Sequence, residues 1–99
     1  MTNEEILKRL AEIEGARLMN AGSRLQRYWK YDKYGEDRPW NPLERWEDCG
    51  PLVEKYSLMI LAPINRDAWC VFPVFGGHPV RDEDLKRAIC LAVIEANGG

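Results

Sequence analysis

The stretch "SLMILAPINRDAWCVFPVF", residues 57–75, decides the fold. Two short apolar runs flank the turn residues Asn65-Arg66-Asp67, the pattern of a β-hairpin. The spacing predicts one strand over Ser57–Ile64 and a second over Ala68–Phe75. Pro63 and Pro73 cannot donate to a ladder, so each is placed at an edge or a strand end. A two-stranded sheet is marginal alone, so a third strand is expected from the connector at residues 21–42 or from a partner.

Helices flank this hairpin. Thr2 or Asn3 can cap a first helix, with Glu4 and Glu5 in its first turn, where the helix dipole favours negative charge. Ile6, Leu7, Leu10 and Ile13 share one face. Ala16, Leu18 and Met19 extend the pattern past Gly15, so the helix is drawn over residues 1–20, with a stop at 20–23. Leu43 to Tyr56 reads as a second helix, capped by Asn41 and opened by Pro42. It is expected to break near Pro51, which removes a donor, with a second piece starting near Gly50. After a "GGHP" loop, Arg81 to Ala96 reads as the last helix and ends at Asn97-Gly98. Leu85, Ala88, Ile89, Ala92, Val93 and Ala96 form its core stripe. Leu91 and Ile94 lie off that stripe and suggest a further buried side, such as a subunit interface. The fold class is therefore α+β: a small antiparallel sheet packed with helices in a compact layered sandwich.

At 99 residues, the chain is expected to form a single domain. It divides into the helix of residues 1–20, a connector over 21–42 and a helix–hairpin–helix core over 43–97. Net charge is −2 and the pI is about 5.4, which disfavours extended DNA binding. The start, "MTNEEILKRL", lacks the apolar run of a secretory signal. Leu58–Ala62 is too short to span a bilayer. Cys49, Cys70 and Cys90 are odd in number and widely spaced, which fits reduced thiols better than a disulfide framework.

Motifs for catalysis are mostly missing. No phosphate-binding Gly-rich loop is present. His78 is the single histidine and reads as a solvated loop residue. No second His or nearby Cys has zinc-ligand spacing. Cys70 and Cys90 read as packing; Cys49 lies near the helix break. Glu44, Glu47 and Asp48 read as a solvated helix face, and Asp82, Glu83 and Asp84 as dipole complement. No enzyme, metal or cofactor is expected.

The connector stands out. "RLQRYWKYDKYGEDRPW", residues 24–40, holds five basic residues, three acidic ones and five aromatics. Its local charge is +2, so the rest of the chain sums to −4. Leu25, Tyr28, Tyr31 and Tyr34 recur every three residues, whereas Trp29 and Tyr31 are two apart; a helical turn and a short strand are both open. Gly35 to Pro42 reads as loop. Arg grips phosphate bidentately, and aromatic faces let a base stack. Arg24, Arg27, Lys30 and Arg38 are the candidate phosphate contacts, and Tyr28, Tyr31 or Trp40 the candidate stacking rings.

From Trp40 onward, "WNPLERWEDCGPLVEKY", the hairpin strand with "WCVF" and the terminal "LKRAICLAVIEA" resemble the phage ABA-sandwich domain family. The matching positions are Asn41-Pro42, Trp46 to Asp48, Trp69, and Ala88 to Cys90, over roughly residues 40–97. The charged Arg81 to Asp84 and the basic, aromatic connector depart from that pattern. The resemblance implies a viral origin, so the protein is expected in the cytoplasm of the bacterial host; it carries over no catalytic residues. The expected function is a non-enzymatic, oligomeric protein that counters bacterial immunity by sequestering a nucleotide-type signal. The alternative is a protein–protein inhibitor of a host defence complex, and the third reading is a structural or regulatory phage protein.

Overall fold

A computed structural model describes residues 1–20, 26–31, 34–63 and 68–98. Arg24, the helix stop after residue 20 and the hairpin turn at residues 65–67 lie outside the described residues. In chain order the elements are α1 (Asn3–Glu14), β1 (Arg17–Asn20), β2 (Gln26–Tyr31), β3 (Asp37–Pro39), α2 (Trp46–Lys55), β4 (Leu58–Leu61), β5 (Trp69–Pro73), β6 (Val80–Asp82) and α3 (Leu85–Ala96). The class is α+β, with two antiparallel three-stranded sheets, β1-β2-β3 and β4-β5-β6.

α1 starts where the sequence places it. Thr2 Oγ1 accepts the Glu5 N–H at 3.2 Å, and the Glu5 carboxylate reaches back to Thr2, a reciprocal cap. The helix ends earlier than expected. Gly15 takes φ 75° and its N–H bonds the Ala11 carbonyl, a left-handed cap that turns the chain into β1. Leu18 and Met19 therefore lie on a strand, not on a longer helix. Replacing Gly15 by alanine is expected to cost about 1 kcal/mol, the strain of a Cβ at this φ. Asparagine should cost less; equal thermal melts for both variants and the wild type would count against the cap.

The connector builds its own sheet rather than adding to the hairpin. β2 pairs with β1 through Arg17↔Trp29 and Leu18↔Tyr28, and with β3 through Trp29↔Pro39 and Lys30↔Arg38. β3 arises in the stretch expected to be loop; Pro39 is tolerated there because β3 is an edge strand. The hairpin β4–β5 forms in the expected register, Leu58↔Pro73 to Leu61↔Cys70. Its third strand is β6, paired through Val71↔Val80. That segment was expected to be loop and helix start, but α3 begins only after Asp84, whose side chain accepts the Arg87 N–H.

α2 also differs. Asn41 caps a turn instead of the helix: its Oδ1 accepts the Leu43 N–H at 3.0 Å, and its carbonyl accepts the Arg45 N–H. The helix then runs unbroken from Trp46 through Pro51 to Lys55. Pro51 is exposed, so the Glu47 carbonyl left without its donor lies on a solvent-accessible side.

α3 is the centre of the body. It packs against β5 and β6 and against α1 and α2. Ala88, Ile89, Cys90, Ala92, Val93 and Ile94 are all buried, nearly all round the helix. The off-stripe Ile94 and Leu91 are thus taken up by this chain's own core. The sheet β1-β2-β3 joins that body mainly through Tyr28 and Trp40, which reach the core. The molecule is accordingly elongated, 45 × 26 × 23 Å.

Candidate functional site

Strand alternation sorts the connector's side chains. On β2, Tyr28 and Lys30 point to one face, and Arg27, Trp29 and Tyr31 to the other. Tyr28 packs against the core and Lys30 reaches Glu14 at the end of α1, so the first face looks toward the body. On the outer face, the Arg17 guanidinium stacks 4.4 Å from the Tyr31 ring and also pairs with Asp37. That pairing raises the already high Arg17 pKa.

Two clefts open where this sheet meets the helices. The smaller, about 240 Å³, is lined by Leu7, Arg27, Tyr28, Pro39, Trp40, Asn41, Glu44 and Arg45. The larger, about 680 Å³, lies between the sheet and α2. Its strand side carries Lys30, Tyr31, Tyr34, Arg38 and Trp40; its helix side carries Glu47, Asp48, Pro51, Leu52 and Lys55, and Glu14 completes it. Among the described lining residues there are three cations and three carboxylates.

Glu14 ties the walls of the larger cleft together. Its side chain is 3% exposed. It accepts from Lys55 Nζ at 2.7 Å, Tyr56 OH at 2.6 Å and Lys30 Nζ at 3.3 Å. Burial pushes the Glu14 carboxyl pKa up, but the bonds from Lys55 and Tyr56 and the charge of Lys30 outweigh it and hold the carboxyl below its usual value. The same contact raises Lys55, and burial together with Glu14 raises the Tyr56 phenol. Asp48 is also fixed: its Oδ2 accepts the Asn41 N–H at 2.9 Å. Glu47 is bound to Arg45, at 2.6 and 3.1 Å.

The residues expected from sequence fall into both clefts. Arg27 and Tyr28 line the smaller; Lys30, Tyr31 and Arg38 line the larger. Trp40 borders both, but it is 6% exposed and part of the core, so it is a wall and not a stacking platform. Lys30 sits 5.9 Å from its ring. Glu14, Tyr34 and Lys55 were not among the expected ligand residues, and Asp48 was read as part of a solvated helix face rather than as a cleft residue. Tyr34 lay in the quoted stretch. Glu14 gives no local signal, because its partners are 16, 41 and 42 residues away.

The other reactive groups lie apart. Cys49 and Cys90 are fully buried where α2 meets α3, and Cys49 Sγ is 3.9 Å from the Lys86 carbonyl. The Cys90 thiol lowers the Cys49 pKa against the effect of burial; Cys90 itself is pushed up by Cys49 and by burial. Cys70 is half-buried and His78 exposed. Among the described residues no group of three His, Cys, Asp or Glu could hold a metal ion, and no helix is long and apolar enough to cross a membrane.

No curated protein and no solved structure matches the chain. A family model does: bacteriophage P22, NinX, over residues 1–88. The match supports the phage protein family that the resemblance implied, though not an ABA-sandwich domain specifically. The matched region also takes in α1 and the whole connector, which the resemblance had left outside the shared core. The chain therefore belongs to the bacteriophage P22 NinX family of phage proteins.

Proposed function

We propose that the protein is a non-catalytic binder of a nucleotide-type small molecule, held in the larger cleft, and that it serves the phage by sequestering a host immune signal. The observation that carries this reading is the cleft itself. Its volume, about 680 Å³, lies in the usual range for small-molecule sites. Tyr34 is exposed and offers ring surface to a base, while one face of the Tyr31 ring at the cleft edge already carries the Arg17 guanidinium. Arg38, Lys30 and Lys55 stand within the same space to meet phosphate. A binder needs no nucleophile or acid–base pair beside these groups. The smaller cleft, with Arg27, is too small for a whole nucleotide and fits an accessory phosphate.

The test is a thermal-shift and calorimetric screen against mononucleotides, cyclic dinucleotides and ADP-ribose derivatives. At least one is expected to raise the melting temperature and to be recovered unchanged. Arg38→Glu should abolish the shift, and Tyr34→Ala should weaken binding by about tenfold, the loss of one stacking contact. A screen in which no compound binds sinks the reading.

A second reading, a protein–protein inhibitor of a host defence complex, is favoured by a different surface. Met59, Leu61 and Phe72 share the outer face of the sheet β4-β5-β6, and Phe75 just beyond it is 88% exposed. Apolar area of this kind marks protein contacts more often than small-molecule sites. Under this reading a stoichiometric host protein is captured by the wild type and lost with Phe75→Ser, while charge reversal at Arg27 and Arg38 changes nothing.

A further inference from the structure

The larger cleft is electrically polar along its length. On α2, Glu47 and Asp48 stand near the N-terminal end, Pro51 and Leu52 one turn on, and Lys55 one turn further. The rise from Glu47 to Lys55 is about 12 Å, comparable to a nucleoside monophosphate laid from base to phosphate. At the Lys55 end, Lys30 and Lys55 share the Glu14 carboxylate, two cations on one anion, which leaves a net positive charge. At the other end stand two carboxylates, of which Glu47 is paired with Arg45, leaving that end with a net negative charge from Asp48. Between them Pro51 and Leu52 form an apolar floor, with Tyr31 and Tyr34 on the strand side.

This polarity orients a nucleotide with its phosphate toward Lys55 and its base edge toward Asp48. An acidic residue at a helix start is ordinary in itself. Asp48 differs in being held: the Asn41 N–H takes Oδ2 and fixes the side chain at the cleft wall. A carboxylate has about four acceptor positions, and this bond takes one of them. Guanine presents adjacent N1–H and N2–H donors on one edge. Adenine presents an acceptor, N1, beside its amino group, and a fixed carboxylate repels it. Resting on the nucleotide reading above, we infer that the cleft selects guanine over adenine and that Asp48 is the specificity-determining residue, accepting the guanine N1–H and N2–H edge.

The test is isothermal titration of the full chain with GMP, IMP and AMP, and with cyclic di-GMP and cyclic di-AMP. The guanine member of each pair is expected to bind on the order of tenfold to a hundredfold tighter. IMP, which keeps N1–H but lacks the 2-amino group, should fall between GMP and AMP. Asp48→Asn should erase the preference and leave the affinity for AMP no weaker, an outcome that a merely structural role would not produce. Equal affinity for guanine and adenine forms overturns the inference and leaves the nucleotide reading standing. Binding of none overturns both. If Asp48→Asn fails to fold, the wild-type order of GMP, IMP and AMP decides, with Glu47→Gln as the second variant; it should narrow the preference less than tenfold because Arg45 already holds that carboxylate.

Discussion

Replacing Glu14 by alanine is expected to lower the unfolding free energy by about 2–3 kcal/mol. The buried carboxylate accepts from two ammonium groups and a phenol, and its loss leaves Lys30 and Lys55 without a counter-charge. A fully buried pair would cost more. Here the lysine side chains are 36% and 57% exposed, so both can turn to water. Glutamine keeps an acceptor for Tyr56 and should cost about half as much. The damage should be local as well: amide exchange in β2 and β3 should speed up more than in α3, because Lys30 is one of the few ties between that sheet and the body. The pH dependence follows from the sign of the shift. The folded pKa of Glu14 lies below its ordinary 4.5, so its contribution is complete above that value and fades as pH falls through the folded pKa. The stability gap between wild type and Glu14→Gln should therefore close in acid, below about pH 4.5. Urea titrations at pH 7 and pH 3 measure it. A gap that is absent at pH 7, or unchanged at pH 3, would show that Glu14 does not hold the sheet.

Ile89→Ala should cost more still, about 3–4 kcal/mol. Ile89 is fully buried on the helix that both the β4-β5-β6 sheet and α1 and α2 pack against. Neighbours on opposite sides cannot close a cavity in the middle without moving apart, so most of the lost volume stays empty. For a domain of this size that is a large share of total stability. Leu91, half-buried on the same helix, gives the internal comparison: Leu91→Ala should cost about 1–2 kcal/mol. Denaturant midpoints at unchanged slope provide both values. Equal losses at 89 and 91 would contradict the burial order along α3.

Much of this architecture is written locally, and the parts that are not share one cause. The Thr2–Glu5 cap, the apolar runs around residues 58–61 and 69–73, and the stripe of α3 each declare themselves within a few residues. β1 does not. Leu18 and Met19 continue a helical pattern, and only pairing with β2, eight to ten residues further on, makes them a strand. β6 is three residues long and needs β5 beside it before it differs from a helix lead-in. Pro51 misleads in the other sense: a proline in an exposed turn removes a bond whose acceptor can be hydrated. The candidate site follows the same division. The strand wall of the cleft was visible as a run of rings and cations. The helix wall was visible only as an ordinary charged face, because nothing local says that Asp48 and Lys55 look across a cleft. Trp40 looked like a ligand residue because sequence does not separate an aromatic that is buried from one that is offered.

The β1-β2-β3 sheet has one more consequence. It is one continuous stretch of chain, residues 17–39, set between Gly15 and Trp40, and among the described residues few of its side chains enter the core. It behaves as a cassette. Exchanging that one segment replaces the strand wall of the cleft apart from Trp40, while the cap of α1, the hairpin and the packing of α3 stay as they are. The strand side of the cleft can thus vary without the body having to be re-evolved, provided that Glu14 keeps a lysine to hold on to.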